Sequence, residues 1–463
     1  MRKKMITLKI IYLIIFSNIF STLSHASSIS SDDWPKGPSV YAESAILIEA
    51  STGLILYEKN IHKKHYPASI TKIMTTLIAL ENSSLSDTVV FSRDSVFNVD
   101  LDSSRIGIDV GEELTMRQAL YGIMLESANE VSYAVAEHVA NDIDSFSVLM
   151  NQKAKELGCL NTNFVNPHGL PNDEHLTTAY DMALITRAAM DNPIFRKITS
   201  TRTYQIPPTN KQIETRYLRN HHKFILKQNY FYDDCIGGKT GYTSKAKYTL
   251  VSTAKRGDLE LICVVLKDDS VEHQYTDTKN LFEFGFNNFS VYSINDINNN
   301  KYIEESVMFT RFSPLLNKTE SPMFIDPNAR LILPNSISLD EANKNVQLAY
   351  VDNPTSDKDI VGEISFDYLE KFVGSANILY SNADTISLNQ NYMNSTLVDN
   401  DTIVEDIEPK PNNSFLKIST LVVGVLVALF LIYFIFLELP RLKRRNYYYK
   451  RRSKRKNFDD FKF

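Results

Sequence analysis

An apolar run near the C-terminus is the feature that most constrains this chain. Residues 415–437, FLKISTLVVGVLVALFLIYFIFL, are long enough to cross a bilayer core of about 30 Å as a helix. The tail 438–463 carries eleven Lys or Arg against three acidic residues, and the positive-inside rule places such a tail in the cytoplasm. Nucleic-acid binding could also explain the tail, but an anchor that meets anionic lipid is simpler. We therefore expect a single-pass transmembrane helix.

The N-terminus has the composition of an export signal. A basic start, MRKKMITLK, precedes the apolar stretch IIYLIIFSNIF, and SHA places small residues before a cleavage site after Ala26. An uncut anchor helix is the alternative interpretation. The short apolar run favours a cleaved signal peptide at 1–26, so the chain between the two membrane signals is expected outside the membrane.

The charge of the chain is unevenly distributed. The net charge is −5, but residues 1–26 carry +4 and residues 438–463 carry +8, which leaves −17 for residues 27–437. Binding to nucleic-acid phosphates needs a basic face, so the acidic middle argues against a nucleic-acid partner.

The cysteines do not predict a disulfide framework. The chain has three, Cys159, Cys235 and Cys263, and an odd number leaves one unpaired. Cys263 lies in an apolar, strand-like run and is expected to be a buried thiol. Cys235 lies close to a motif described below, and a catalytic role for it is disfavoured.

Residues 38–290 have the pattern of one α+β domain. Two strands joined at Thr52-Gly53 open it, a helical middle follows, and the strands KYTLVSTA and LELICVVL form a hairpin near its end. We expect a mostly antiparallel sheet with helices packed on it, in which the first and last strands lie together. Helices are expected from Ser69 and at 116–125, 130–140, 145–157, 178–190 and 277–284.

The sequence pattern changes after the α+β domain. Between 302 and 388, short alternating apolar runs are separated by Pro, Asn, Asp and Gly, which is typical of a small all-β domain. Residues 389–414 are polar and poor in large apolar side chains, so we expect a flexible linker to the transmembrane helix.

The stretch YPASITKIMTT places Ser69 one helical turn before Lys72. If a helix begins after Pro67, the two side chains share one face, and the helix N-terminus surrounds the serine oxygen. A serine hydroxyl needs a base to become a good nucleophile, and lysine can be that base only when neutral. Ser-x-x-Lys recurs at four other positions, so the tetrapeptide alone proves nothing.

The stretch GGKTGYTS contains the only Lys-Thr-Gly of the chain and directly precedes a predicted strand. Lys239 and Thr240 would present a cation and a hydroxyl to an anion, and the neighbouring glycines let backbone approach a ligand. Lys239 could also be the second cation that lowers the pKa of Lys72. A glycine-rich hairpin turn with a solvated lysine is the alternative.

Between these motifs lies LESANEV, with Ser127 and Asn129 after a helical run. Ser-x-Asn occurs twice elsewhere in the chain, so in isolation a plain loop is the favoured interpretation. Its place between the other two motifs makes it a candidate.

The combination of the three motifs resembles the penicillin-interacting serine enzymes. The chain is most similar to the D-alanyl-D-alanine carboxypeptidases, the low-molecular-mass penicillin-binding proteins, through YPASITKIMT, NPHGL, AYDMALI and GGKTGYTSKAKYTLVSTAKR. The similarity is strong over 38–290 and looser over 302–388. It implies a β-lactamase/transpeptidase-like fold for the first region.

The resemblance implies a catalytic role for each matched side chain. Ser69 attacks the peptide bond between two terminal D-alanines of a cell-wall stem peptide, and Lys72 accepts its proton. Ser127 relays a proton towards the leaving amine, and Asn129 holds the substrate backbone. Water then resolves the acyl-enzyme, and no metal or cofactor is needed.

The resemblance also implies a substrate-binding strand. Lys239 and Thr240 hold the terminal carboxylate, and Gly241 and Tyr242 continue the strand. The backbone amides of Ser69 and Tyr242 form the oxyanion hole. β-Lactams are then covalent inhibitors.

Two motifs depart from the family pattern. Glu130 stands where an aspartate is common after the asparagine. Cys235, Ile236 and Gly237 stand before Lys-Thr-Gly, where the family often has an aspartate near the glycine. His168 could suggest a Ser-His triad, but without a nucleophile elbow it is expected to be structural, and Asp181 is expected to brace a helix.

The implied location is the bacterial cell membrane, with the catalytic domain on the extracytoplasmic side. Transpeptidation or β-lactam hydrolysis at the same site is one alternative, and a catalytically inactive wall-binding scaffold is another. Intact motif residues argue against the scaffold.

Overall fold

The computed structural model describes residues 34–100, 102–293, 323–326, 329–348 and 359–380. The chain divides into two units, Met1–Leu388 and Asn389–Phe463, and every described residue belongs to the first. The predicted signal peptide, linker, transmembrane helix and tail lie outside the described residues. None of the helices in the described residues combines the length and apolar character needed to cross a bilayer.

The centre of the structure is a five-stranded antiparallel sheet in the order β2-β1-β9-β8-β7. The prediction that the first and last strands lie together is confirmed, because β1 pairs with β9 and Ala45 faces Val265. The predicted hairpin is confirmed as β8 and β9. The strands are β1 Ser44–Glu49, β2 Ile55–Lys59, β7 Cys235–Thr243, β8 Lys247–Arg256 and β9 Leu259–Asp268.

Both faces of this sheet are covered. Ile262 and Val264 of β9 pack into the core formed with the middle helices, whereas Leu261 and Cys263 face a second core on the opposite side. Alternate residues of a strand point to opposite faces, so this division follows from the pleat. Cys263 is fully buried, as expected from the sequence.

Eight α-helices occur in the described residues. The predicted helix at 116–125 has these bounds in the structure, and the next three agree within two residues. The helix predicted at 277–284 is much longer, because Ser270 accepts a hydrogen bond from the His273 amide and starts the helix two turns earlier. The helices are α1 Lys72–Asn82, α2 Arg93–Phe97, α3 Met116–Leu125, α4 Asn129–Ala140, α5 Ile143–Glu156, α6 Ala179–Asp191, α7 Pro193–Ser200 and α8 Val271–Asn288.

Two small hairpin-like pairs accompany the helical middle. β3 pairs with β4, and β5 pairs with β6, both antiparallel. These strands are β3 Thr88–Val90, β4 Glu113–Thr115, β5 Thr203–Ile206 and β6 Arg216–Arg219.

The chain after α8 is β-rich, as predicted. One described sheet has the order β11-β15-β14-β13, and β10 pairs with β12, so the β-rich part includes a strand ahead of residue 302. The limits predicted for the domains stay predictions. The strands are β10 Phe289–Ser293, β11 Met323–Ile325, β12 Arg330–Pro334, β13 Asn343–Leu348, β14 Asp359–Tyr368 and β15 Lys371–Tyr380.

Candidate active site

Ser69 lies in a short 3₁₀ helix, Ala68–Thr71, that continues directly into α1. Ala68 has a positive φ of 51°, a conformation that costs energy for a residue with a side chain. Gly169 packs so closely that a Cβ there would lie 1.9 Å from the Ala68 carbonyl oxygen. The loop containing Gly169 therefore presses on the turn that holds Ser69 and fixes its position.

The Lys72 side chain is fully buried and completely hydrogen-bonded. Its Nζ lies 3.0 Å from Ser69 Oγ, 2.6 Å from Asn129 Oδ1 and 2.6 Å from the His168 carbonyl oxygen. A neutral amine has two N–H bonds and one lone pair. Donation to Asn129 and His168 leaves the lone pair for the Ser69 hydroxyl proton, so this geometry suits a general base.

The electrostatic environment of Lys72 favours that neutral form. Burial is the main cause that holds the pKa of Lys72 well below its usual value, and the nearby charge of Lys239 lowers it further. Glu130 acts in the opposite direction and raises it. The sequence-based expectation that Lys239 would be the second cation agrees with this arrangement.

Lys239 lies on β7, an edge strand of the central sheet, as predicted. It is 1% exposed, so a solvated lysine in a hairpin turn is ruled out. Its Nζ donates to the Thr240 carbonyl oxygen at 2.9 Å. Burial lowers the pKa of Lys239 to about 7, opposed by the charge of Glu126. Lys239 can therefore change its charge near neutral pH.

Gly241 allows β7 to pass directly against the nucleophile. A Cβ at this position would lie 2.9 Å from the Ser69 amide nitrogen and 2.4 Å from Thr249 Oγ1. Only a residue without a side chain tolerates this approach. The strand thus runs beside the Ser69 amide, where an oxyanion hole would have to be.

Ser127 connects α3 to α4 in a strained conformation. Its φ is +60°, unusual for a residue with a side chain. Its Oγ is buried and has no hydrogen-bond partner in the described part of the chain. Asn129 follows as the first residue of α4, and its Oδ1 is occupied by Lys72, which leaves its amide nitrogen for a ligand.

A cleft of about 550 Å³ collects most of the predicted site residues. Lys72 and Lys239 are buried and do not line the cleft themselves, so they lie behind its wall. The predicted residues that line it are Ser69, Ser127, Asn129, Thr240, Gly241 and Tyr242.

Sequence reasoning missed several parts of this site. Asp100 and Asp102 line the cleft from one loop, and Lys223 and Gln274 line it from elsewhere in the fold. No motif marks these residues, because only the tertiary structure brings them together. The His168 carbonyl was also missed as the acceptor for Lys72, although NPHGL had been singled out.

Three residues that the sequence analysis kept out of the catalytic machinery, His168, Asp181 and Cys235, have environments that suit structural roles. The His168 ring is buried, and burial holds its pKa well below its usual value. Asp181 accepts hydrogen bonds from the Asn161 amide and the Thr162 hydroxyl, so it braces the start of α6. Burial raises the pKa of the Cys235 thiol to about 12, which is unsuited to a nucleophile.

Comparisons with known proteins agree on one family. The D-alanyl-D-alanine carboxypeptidase family matches residues 31–270 of the chain. The D-alanyl-D-alanine carboxypeptidase DacF of Bacillus subtilis (strain 168) is 36% identical over 259 residues, which cover 55% of this chain and 64% of DacF. The match thus spans less than two thirds of that relative.

Solved structures extend the comparison to the fold. The Streptomyces K15 DD-transpeptidase is 30% identical with a TM-score of 0.51, and the match covers 55% of this chain and all of that one. Penicillin-binding protein 5 from Haemophilus influenzae matches 75% of this chain and 98% of its own, with a TM-score of 0.57 and 24% identity. The second likeness supports the fold alone.

Proposed function

The chain belongs to the D-alanyl-D-alanine carboxypeptidase family, and we propose that it removes the terminal D-alanine from peptidoglycan stem peptides through an acyl-enzyme on Ser69. The observation that carries this proposal is the 3.0 Å contact between Ser69 Oγ and the buried amine of Lys72. The reaction is a hydrolysis by a serine peptidase.

Acylation begins when Ser69 Oγ attacks the carbonyl carbon of the D-alanyl-D-alanine bond. The hydroxyl proton passes to the lone pair of neutral Lys72, whose two N–H bonds stay with Asn129 and His168. The C–N bond then breaks, and protonated Lys72 gives this proton through Ser127 to the departing D-alanine, which returns Lys72 to its neutral form. A positioned base of this kind typically contributes about 10²–10⁴-fold in rate.

The oxyanion is assigned to two backbone amides, those of Ser69 and Tyr242. The close approach at Gly241 supports this assignment, because it places β7 beside the Ser69 amide. Removing one such donor typically lowers the rate about 10²–10³-fold.

The substrate carboxylate is assigned to Thr240 on the cleft wall, with Lys239 behind it. The side chain of Lys239 is already bonded to a carbonyl in this structure, so it would turn towards the carboxylate when substrate binds. An internal peptide bond supplies no carboxylate, which explains a preference for a free terminus.

Deacylation completes the cycle. A water molecule attacks the ester carbonyl, Lys72 accepts one proton from the water, and Ser69 Oγ recovers a proton as the C–O bond breaks. The same acylation would trap β-lactams as covalent inhibitors.

Two assays test this proposal. Purified protein incubated with a D-Ala-D-Ala peptide should release D-alanine, and a fluorescent penicillin should label the wild type but not Ser69→Ala. Absence of the label would favour an inactive scaffold. Rapid β-lactam turnover without D-alanine release would favour a β-lactam hydrolase, and transfer to an added amine would favour a transpeptidase, the activity named for the Streptomyces relative.

The membrane topology is a separate part of the proposal. We infer a cleaved signal peptide at 1–26, a transmembrane helix at 415–437 and a cytoplasmic tail at 438–463, which would place the cleft next to the cell wall. Protease added to intact spheroplasts should remove the catalytic domain and spare an epitope on the tail. Protection of the catalytic domain would contradict this topology.

A further inference from the structure

The corner where β9 meets α8 holds an unusual concentration of buried acid. Asp268 ends β9, and Asp277 lies two turns into α8; both are fully buried. In the described part of the chain neither carboxylate forms an ion pair with a lysine or arginine. Burying a charge without a partner is strongly unfavourable, so this corner calls for a compensating group.

Each of the two buried carboxylates has an unused oxygen. Asp268 Oδ1 accepts from the Asp269 amide and Asp277 Oδ2 accepts from the Ala42 amide, but Asp268 Oδ2 and Asp277 Oδ1 have no hydrogen-bond partner among the described residues. Native proteins rarely leave buried polar atoms unpaired unless an ion or water completes them.

Two more ligating side chains converge on Asp268. A carboxylate oxygen of Asp268, one of Asp269 and a ring nitrogen of His273 all lie within 4.8 Å of one another. Asp269 is exposed and His273 is half-buried, so the group opens to solvent on one side. The Tyr41 ring stacks on His273 at 3.8 Å and fixes the plane of the imidazole.

We propose that Asp268, Asp269 and His273 form a zinc-binding site at the β9–α8 corner. Two carboxylates and one imidazole are three ligands of the types that zinc takes, and the open side leaves room for water as the fourth. His273 Nδ1 and Asp269 Oδ1 already form a hydrogen bond of 2.5 Å, so zinc would replace the proton between them, and the three ligand atoms would then adjust to lie about 2 Å from the ion. Asp277 lies behind the ligands and adds negative charge to the site.

The site lies outside the catalytic cleft but shares a helix with it. None of the three ligands lines the cleft, whereas Val271 and Gln274, on the first turns of the same helix, do. A bound ion would tie the end of β9 to the first turn of α8. Zinc therefore stabilises one wall of the cleft without taking part in the reaction.

The experiment is a zinc titration of the full-length protein after removal of metal with a chelator, measured by calorimetry. We expect one zinc ion per chain, with affinity lowered at least about tenfold in Asp268→Asn and in His273→Gln. His138→Gln is the matched control, since His138 pairs with Asp87 at 3.7 Å outside this cluster and its loss should leave the affinity unchanged.

The results of these titrations distinguish a zinc site from a proton shared by two buried carboxylates. His273 is partly exposed, so His273→Gln should fold, and circular dichroism with thermal unfolding checks this. Failure of the wild type to bind zinc, or equal affinity in His273→Gln, would overturn the proposal and favour a proton shared by Asp268 and Asp277. Ser69→Ala should bind zinc like the wild type, so this result does not depend on the proposed reaction.

Discussion

The cleft and the β9–α8 corner each bury two like charges, and they resolve the repulsion differently. In the cleft, Lys72 is surrounded by acceptors and its pKa is held well below its usual value, so it can lose its proton and still be hydrogen-bonded. At the corner, Asp268 and Asp277 each keep an unpaired oxygen. A neutral amine both donates and accepts, whereas a carboxylate only accepts until it takes up a proton, and burial together with the charge of Asp277 raises the pKa of Asp268. Burial therefore creates a base in the first region and a demand for a proton or a cation in the second.

The largest effect should come from Lys72→Met, which removes the base but keeps the length of the side chain. Acylation by a fluorescent penicillin should slow by about 10²–10⁴-fold, because no group then accepts the Ser69 proton. Stopped-flow labelling measures this rate.

The matched control for this variant is Lys153→Met, which removes a partly exposed lysine paired with Glu81 on a helix outside the cleft. It should acylate like the wild type. Acylation of Lys72→Met at the wild-type rate would show that the 3.0 Å contact carries no catalytic role and would remove the contrast between the two regions.

Lys239 gives the next largest effect, through pH. Its pKa of about 7 means that its charge is present below neutral pH and lost above it. If it binds the substrate carboxylate, kcat/KM should fall by about tenfold per pH unit above 7. The value of kcat should persist to higher pH, because the bound carboxylate keeps the ammonium protonated.

Lys239→Arg tests this assignment, since a guanidinium stays charged throughout the accessible range. The alkaline fall of kcat/KM should disappear in the variant, even if its absolute activity is lower. An unchanged alkaline limb in Lys239→Arg would assign the titration to another group.

At the β9–α8 corner, removal of a charged side chain should stabilise the protein, whereas in the cleft it should impair the reaction. Asp277→Asn keeps an oxygen for the Ala42 amide but removes one of two adjacent buried charges. In chelator, this variant should gain about 1–3 kcal/mol in free energy of unfolding, as expected when an uncompensated buried charge is removed. Thermal and urea unfolding measure the change.

Asp181→Asn is the comparison for that gain. Asp181 is also buried and its Oδ1 also has no hydrogen-bond partner among the described residues, but its Oδ2 accepts from both a backbone amide and a hydroxyl, whereas Asp277 Oδ2 accepts from one amide. Two donors stabilise the charged form of Asp181, so its neutral replacement should not stabilise the protein. Destabilisation by Asp277→Asn would show that its charge is already compensated and would weaken the case for a cation at the corner.

The two regions also differ in how far the sequence predicts them. Ser69, Lys72 and Lys239 belong to short sequence motifs, so they can be predicted as catalytic or substrate-binding residues from residue type and order alone. Their convergence in the cleft depends on the sheet that pairs the first strand with the last. That pairing could be predicted because the sequence pattern predicts strands at both ends of the domain.

The corner could not be predicted, because its residues carry no motif. The polar first turns of α8 concealed the helix start at Val271, so His273 fell outside the helix predicted at 277–284. The unpaired oxygens are visible only when every neighbour has been placed. For the same reason Lys223 and Gln274 were missed as parts of the cleft wall.

Glu130 should produce the smallest effect, and it links the two regions because it is a buried carboxylate near the buried amine of Lys72. Its Oε1 accepts from the Ile106 amide at 2.7 Å, while its charge raises the pKa of Lys72. Glu130→Gln keeps the acceptor and removes the charge, so the pKa of Lys72 should fall. The acidic limb of the acylation rate should then move to lower pH by less than about one unit, with little change at the optimum. Glu137 lies on the same helix as Glu130, and its carboxylate accepts a hydrogen bond from the Ser92 hydroxyl. Glu137→Gln removes this charge and should leave the pH of the acidic limb unchanged. A shift of equal size in both variants would mean that the helix, and not the charge at Glu130, sets the pKa of the base.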